Sequence, residues 1–353
     1  MIDLRSDTGT RPTEGMLKAM FNAKVGDDIF DDDPTVNALQ EKTATLFGME
    51  DALFCASGTM TNQIAIKVHT QPGDEIICHK YAHIYNYEGG GVMFNSGCSV
   101  KMTGDDSGLL KLDEVIPLLN PDDIHFPTTR MLEVENTANK GGGTCYDFSE
   151  LEKMSAWAKE NNLAYHLDGA RVFNAMVAKG ESPEQYGAIF DSISICLSKG
   201  LGCPVGSLIL GTKDFIKQAK RVRKKFGGGW RQAGFLAATG IYALDNHIER
   251  LAEDQAKAKR LADALQNASF VKEVIAPETN IVIFYVDDKI GDTNFIQQMA
   301  SKNILLTHSW PGNVRELQSI IRRATLFADQ PKILKENMQD AIRPSVNNFS
   351  SND

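Results

Sequence analysis

Short apolar runs alternate with longer stretches of helical periodicity along the first two-thirds of the chain. Ala52 to Cys55, Glu75 to Cys78, Met131 to Val134, Ala164 to Leu167 and Ile193 to Leu197 predict buried strands. Thr59 to Val68, Leu151 to Asn161 and Gln232 to Leu244 predict helices between or after them. Strands alternating with helices predict an α/β layered domain with a mostly parallel sheet between helices, over residues 1–246. The charged amphipathic stretch His247 to Asn267 leads into a smaller C-terminal α/β domain, residues 247–329. That domain is predicted from a strand at Asn280 to Val286, a helix at Asn294 to Ser301 and a strand at Ile304 to Thr307. Residues 330–353 turn polar and read as a tail.

Composition narrows the function classes. Of 353 residues, 42% are hydrophobic and 24% charged, the balance of a globular protein. A net charge of -9 argues against nucleic acid as a partner. No segment is long and apolar enough to predict a membrane span, and the start, Met1-Ile-Asp-Leu-Arg-Ser-Asp-Thr, lacks the apolar core of a signal peptide. Six cysteines without CxxC spacing argue against a zinc site or a disulfide framework and predict a reducing, cytoplasmic setting.

Two strand ends carry the chemistry. Lys199 follows the run Ile193 to Leu197 and precedes glycines, where backbone bends and a ligand can approach. A partly desolvated amine there can attack a carbonyl. Asp168 ends the other strand, in His166-Leu-Asp-Gly-Ala-Arg171. Ligands in such folds bind outside the carboxyl ends of the strands. An Asp to hold a pyridinium proton and a Lys to form a Schiff base suit pyridoxal 5'-phosphate.

Other stretches add to this pair. Ser57-Gly-Thr-Met follows a strand and opens a helix, so the N–H groups of Gly58 and Thr59 are candidates for a phosphate. In the basic run Lys220 to Gln232, Arg231 or Lys224 is a candidate for an anion, and the rest reads as a solvated helix face. His83 is either structural or stacked on a flat heteroaromatic ring, and His125 is equally ambiguous. The acidic stretch Gly26 to Pro34 lacks calcium-loop spacing and reads as helix-capping aspartates; no metal site is expected.

These motifs together resemble the threonine aldolases, in the β-eliminating lyase branch of the fold-type I pyridoxal phosphate enzymes. The resemblance rests on Asp3-Leu-Arg-Ser-Asp-Thr, Val25-Gly-Asp-Asp, Ser57-Gly-Thr-Met, His83 and Glu135-Asn-Thr. It also rests on His166-Leu-Asp-Gly-Ala-Arg171, Cys196-Leu-Ser-Lys-Gly-Leu and Gly227-Gly-Gly-Trp-Arg-Gln, and runs from Met1 to about Thr307.

The resemblance implies Lys199 as the covalent anchor of the cofactor, Asp168 at its ring nitrogen and His83 stacked on its ring. It implies Gly58, Thr59 and Arg231 on the phosphate, with Arg231 or Lys224 supplied by a neighbouring subunit. Arg171 would touch the cofactor's phenolic oxygen or the substrate carboxylate, and Ser6 the substrate carboxylate. The implied reaction cleaves L-threonine or L-allo-threonine into glycine and acetaldehyde, with His83, His125 or a water as base. The implied assembly is a homotetramer, a dimer of dimers with sites at a dimer interface. The alternatives are another reaction of the same cofactor, such as β-elimination or transamination, or a regulatory protein with an impaired site.

The chain departs from the family pattern at Phe30-Asp-Asp-Asp33, at Ala138 and, above all, at its C-terminus. Ser309 to Arg323 contains Trp-Pro-Gly-Asn-Val-Arg-Glu-Leu, which resembles an element of AAA+ enhancer-binding regulators. Val314, Leu317, Ile320, Ile321 and Ala324 share a helical face there. Arg315 aligns best with the family's substrate-carboxylate arginine.

Overall fold

The computed structural model describes residues 2–307. In chain order the elements are β1 (Ile2–Asp3), α1 (Glu14–Phe21), α2 (Pro34–Phe47), β2 (Asp51–Cys55), α3 (Gly58–His69) and β3 (Glu75–His79). Next come α4 (His83–Asn86), β4 (Ser99–Thr103), α5 (Leu112–Val115), β5 (Thr129–Glu135), α6 (Phe148–Glu160) and β6 (Ala164–Gly169). Then follow α7 (Val172–Lys179), α8 (Pro183–Ile189), β7 (Ser192–Cys196), β8 (Ser207–Gly211), α9 (Lys213–Lys225) and α10 (Gly234–Asn246). The last are α11 (Leu251–Gln266), β9 (Val271–Ile275), β10 (Ile283–Val286), α12 (Asp292–Ser301) and β11 (Ile304–Leu305).

One sheet organises the molecule, with strand order β2-β8-β7-β6-β5-β3-β4. Its β4-β3-β5-β6-β7 portion is parallel, and β8 runs antiparallel to both β7 and β2. The expected mostly parallel α/β sheet is therefore present. The sequence reading missed β8, whose run Ser207 to Gly211 is as apolar as its neighbours, and β4, whose side chains are only half-covered.

Alternation along each strand divides residues between two faces. One face, with Ile77, Leu132, Val134, Tyr165, Leu167, Ile193 and Ile195, joins the main core with α6, α7 and α10. Burying each such side chain contributes roughly 1.5–3 kcal/mol. The opposite face is apolar only at its flanks, around Ile76, Cys78 and Met131 and around Leu53, Cys55 and Ile209. At its centre stand Glu133, Glu135, His166, Asp168, Ser192 and Ser194, all buried. Helix α3 covers them with Thr61, Asn62 and Gln63, each no more than 3% exposed. Polar groups sealed this way stabilise the fold only if they satisfy one another.

The aspartates of the acidic stretch act as caps and anchors. Asp33 accepts the N–H groups of Thr35 and Val36 before Pro34, and also that of Gly234, which ties the starts of α2 and α10 together. Asp28 pairs with Arg223 at 2.7 Å, both side chains 4% exposed. Arg223 also donates to the Phe54 carbonyl at 2.7 Å. The basic run is thus not a uniformly solvated face: Arg223 is internal, whereas Arg221 and Lys224 are exposed.

The described residues divide into two compact units, Asp7–Tyr285 and residues 2–6 with 286–307. The expected boundary after residue 246 falls inside the first. Leu251, Ala258 and Ala262 of α11 are buried there, and Gln255 donates to the Asn174 carbonyl of α7 at 2.8 Å. In the second unit β1 pairs in parallel with β11, and Thr307 donates to the Arg5 carbonyl. Arg315 and the tail 330–353 lie outside the described residues. No described helix is long and apolar enough to cross a membrane.

Removing one partner of a buried ion pair strands the other charge. Arg223→Ala is expected to lower the unfolding free energy by about 3–5 kcal/mol in chemical denaturation. Arg221→Ala, on the exposed side of the same helix, is expected to change it by less than about 0.5 kcal/mol.

Candidate active site

Strand register places the two leading residues side by side. In the β6–β7 pairing, Asp168 lies opposite Ser194 and Gly169 opposite Ile195, so both strands end at the same edge. Two helices, α7 and α8, carry the chain from Asp168 to β7, and Lys199 follows three residues after β7 ends. Gly58 reaches the same edge. A Cβ on it would stand 2.6 Å from the Cys196 sulfur, so only glycine lets α3 start this close to β7. Ser57 caps the helix by accepting the Met60 N–H at 3.2 Å. The N–H groups of Gly58 and Thr59 belong to the first turn, which has no intrahelical acceptors for them.

Asp168 is 2% exposed. Its carboxylate accepts the Asn62 amide at 2.7 Å and the Ala170 N–H at 3.1 Å. Among the described residues it has no arginine or lysine partner. A buried carboxylate supplied with neutral donors only fits a cationic N–H arriving from a ligand.

His83 stands at the start of α4, half-buried. Its Nδ1 lies 3.0 Å from Glu88 Oε1, and its backbone N–H donates to Glu135 Oε2. Glu88 also accepts the amides of Asn62 at 2.9 Å and Gln63 at 2.7 Å. Burial opposes a second proton on His83. The Glu88 hydrogen bond and the charges of Asp168, Glu88 and Glu135 outweigh it and raise the imidazole pKa. The Glu135 carboxyl is pushed up to about 7 by burial and then by the Asp168 charge, against the N–H groups of Asn139 and His83. Glu133, fully buried with neither oxygen hydrogen-bonded, is driven well above the ordinary range by burial and by Asp168, Glu135 and Glu88.

Arg171 is engaged by a residue that the sequence reading did not single out. Its Nε and Nη2 both donate to Asp7, each at 2.7 Å, with side chains 8% and 11% exposed. Asn280 donates to the same carboxylate at 3.1 Å. Burial pushes the Asp7 carboxyl up, but Arg171, Asn280 and the nearby Lys199 charge leave it below the usual range. The Lys199 amine therefore stands close enough to the Asp7–Arg171 pair for its charge to be felt there.

The remaining candidates are dispersed. His125 is exposed, and its described partner is Asp123 at 2.7 Å, so the structure does not bring it to this cluster. Arg231 is exposed and pairs with Asp27 at 2.8 Å. Lys224 is exposed, its stem lying over Gly229. Ser6 belongs to the unit of residues 2–6 and 286–307. Of Asp7, Asn62, Glu88 and Glu135, which the sequence reading did not single out, Asp7 and Glu135 stand inside motifs recognised for other residues.

The family model described as beta-eliminating lyase matches residues 3–289. A second model, an AAA+ ATPase lid domain, matches residues 293–352, where the Trp-Pro-Gly element stands. The low specificity L-threonine aldolase of Escherichia coli K12 is 44% identical over 88% of this chain and 91% of its own length. Low-specificity L-threonine aldolase 1 of Arabidopsis thaliana is 38% identical over 93% of each chain. The solved threonine aldolase of Leishmania major superposes with a TM-score of 0.74 over 86% of this chain and 88% of its own, at 20% identity, and so shares the fold. The chain belongs to the beta-eliminating lyase family, among the low-specificity L-threonine aldolases.

Proposed function

We propose that this chain is a pyridoxal 5'-phosphate-dependent aldehyde-lyase that cleaves L-threonine and L-allo-threonine to glycine and acetaldehyde. The observation that carries this reading is the buried Asp168 carboxylate, without an arginine or lysine partner among the described residues, at the strand edge from which Lys199 extends. The similarity to low-specificity L-threonine aldolases supports the choice of substrate.

When bound, the cofactor supplies an electron sink for the carbanion left at Cα. Lys199 anchors it, and Asp168 keeps the proton on its ring nitrogen. Gly58 and Thr59 N–H groups hold its phosphate at the start of α3, with Arg231 or Lys224 of a neighbouring subunit adding charge. Arg171, neutralised by Asp7, orients the phenolic oxygen or the substrate carboxylate. Ser6 and Arg315 hold that carboxylate. The orientation these residues give the carboxylate would set which bond to Cα is cleaved.

His83 is the base that the geometry favours over His125. Glu88 accepts the Nδ1 proton, which leaves Nε2 bare to take the β-hydroxyl proton. The Cα–Cβ bond then breaks, the aldehyde departs, and a proton delivered to Cα completes glycine. We place the enzyme in the cytoplasm, in threonine breakdown and glycine formation. All six cysteines are free thiols, as a reducing compartment allows. The exposed Phe21, Phe30, Met93 and Phe94 support a homotetramer with sites at a dimer interface.

Lys199→Ala is expected to abolish both threonine cleavage, assayed as acetaldehyde release, and the absorbance band of bound cofactor. Turnover at the wild-type rate in that variant sinks the mechanism. Arg315→Ala is expected to raise KM for threonine at least about tenfold, the loss of a charged hydrogen bond worth about 1.5–3 kcal/mol. An unchanged KM assigns the carboxylate to another residue. Neutral His83 is the active form and its pKa is raised, so kcat/KM should fall on acidification with a midpoint above about 6.5. Glu88→Gln should move that midpoint to lower pH. A pH profile indifferent to Glu88 rules out His83 as the base.

A further inference from the structure

Beneath the candidate cofactor site, four side chains that the reaction does not touch are joined end to end. His69 Nε2 lies 2.9 Å from Ser192 Oγ, and Ser192 Oγ 2.8 Å from His166 Nδ1. His166 Nε2 lies 3.2 Å from Asn62 Oδ1, and Asn62 Nδ2 2.7 Å from Asp168 Oδ2. Asn62, His166 and Ser192 are at most 1% exposed. The chain crosses α3, β6 and β7, and the His69 ring stacks on Phe215 at 4.8 Å.

The direction of every bond follows from the donors available. Both hydrogens of the Asn62 amide are claimed by carboxylates, Asp168 Oδ2 and Glu88 Oε1. The Asn62 oxygen therefore faces His166, and only an N–H satisfies it there. His166 carries its proton on Nε2. Burial holds its pKa down to about 4 despite the Asp168 charge and the Ser192 carbonyl, so the ring is neutral and Nδ1 is bare. That bare nitrogen accepts the Ser192 hydroxyl; the Ser192 carbonyl, 3.2 Å away, receives no proton from it. Ser192, having donated, accepts from His69. Burial and then the neighbouring His166 push the His69 pKa to about 3, so it too is neutral with its proton on Nε2. All four bonds donate toward Asp168, and aligned hydrogen bonds polarise one another.

We propose that His69, Ser192, His166 and Asn62 form a hydrogen-bond relay that positions the Asp168 carboxylate and tunes it as the acceptor for the cofactor's ring nitrogen. They are positioning residues, and the proposal rests on the cofactor reading above. A relay differs from a set of isolated contacts in one respect: a cut at its far end is felt at Asp168.

Two measurements test it. Ring 15N spectra of the apoprotein should show His166 and His69 neutral, with the proton on Nε2, from about pH 6 to 8. A proton on His166 Nδ1, or a second proton in that range, overturns the relay whether or not cofactor binds. Ser192→Ala removes the hydroxyl link. Titration of the apoprotein with pyridoxal 5'-phosphate should then show the dissociation constant raised about threefold to tenfold, one hydrogen bond's worth. The absorbance maximum of the bound form should shift as well. His69→Phe keeps the stack on Phe215, removes the N–H and should act in the same direction, less strongly. Variants that lose thermal stability but keep the wild-type dissociation constant and absorbance maximum would show a purely structural network and end the proposal. If the wild-type protein binds no pyridoxal 5'-phosphate, the cofactor reading fails, and the ring spectra alone decide whether the chain points to Asp168.

Discussion

Asp168 is a carboxylate sealed at 2% exposure where β6 ends, and most of the α3 face of the sheet answers to it. An ionised carboxylate in such a place destabilises the fold unless donors surround it. The structure supplies them from Asn62 on the helix above and Ala170 on the turn after the strand. Asn62 can serve only if α3 lies flat against the strand ends. That closeness depends on Gly58, where a side chain would collide with Cys196. One buried charge thus sets the helix position, the residue at the helix start and the polar character of α3's inner face.

Neighbouring charges are arranged so that few stand alone. Asp7 cancels Arg171, and Asp28 cancels Arg223. Glu88 gathers three donors, whereas Glu133 avoids the cost of ionisation by holding its proton more tightly, and burial brings the Glu135 carboxyl up to about 7. Asp168, just as deeply buried, has no arginine or lysine partner among the described residues. That asymmetry sets Asp168 apart from the structural ion pairs and is what the proposed cofactor reading uses. The basic run near the triple glycine is mixed in purpose: Arg223 pairs with Asp28 inside the fold, and the exposed Arg231 pairs with Asp27.

The two family matches meet near residue 290, and the second continues where an arginine for the substrate carboxylate is expected. The roles proposed above for cofactor and substrate therefore fall on stretches of different resemblance. Lys199, Asp168 and His83 stand well inside the lyase match, and Arg315 inside the AAA+ lid match.

Short apolar runs, helical periodicity and strand–turn–helix punctuation sufficed to read β2, β3, β5, β6 and β7, the helices α3, α6 and α10, and the lysine and aspartate at two strand ends. The physical reason is local: strand burial and helix starts leave their mark within a few residues. Strand geometry puts His166, Asp168, Ser192 and Ser194 on one face once Ala164–Gly169 and Ser192–Cys196 are paired. What lies opposite them is a long-range matter. Asn62 meets Asp168 across 106 positions, Asp7 meets Arg171 across 164 and Asp28 meets Arg223 across 195. No periodicity encodes such pairings, because they arise only when strands five to eight are laid in register and α3 closes over them. The sequence by itself determined the chemistry available at the strand ends; the tertiary structure decided which charges are neutralised there and which one has no arginine or lysine partner among the described residues.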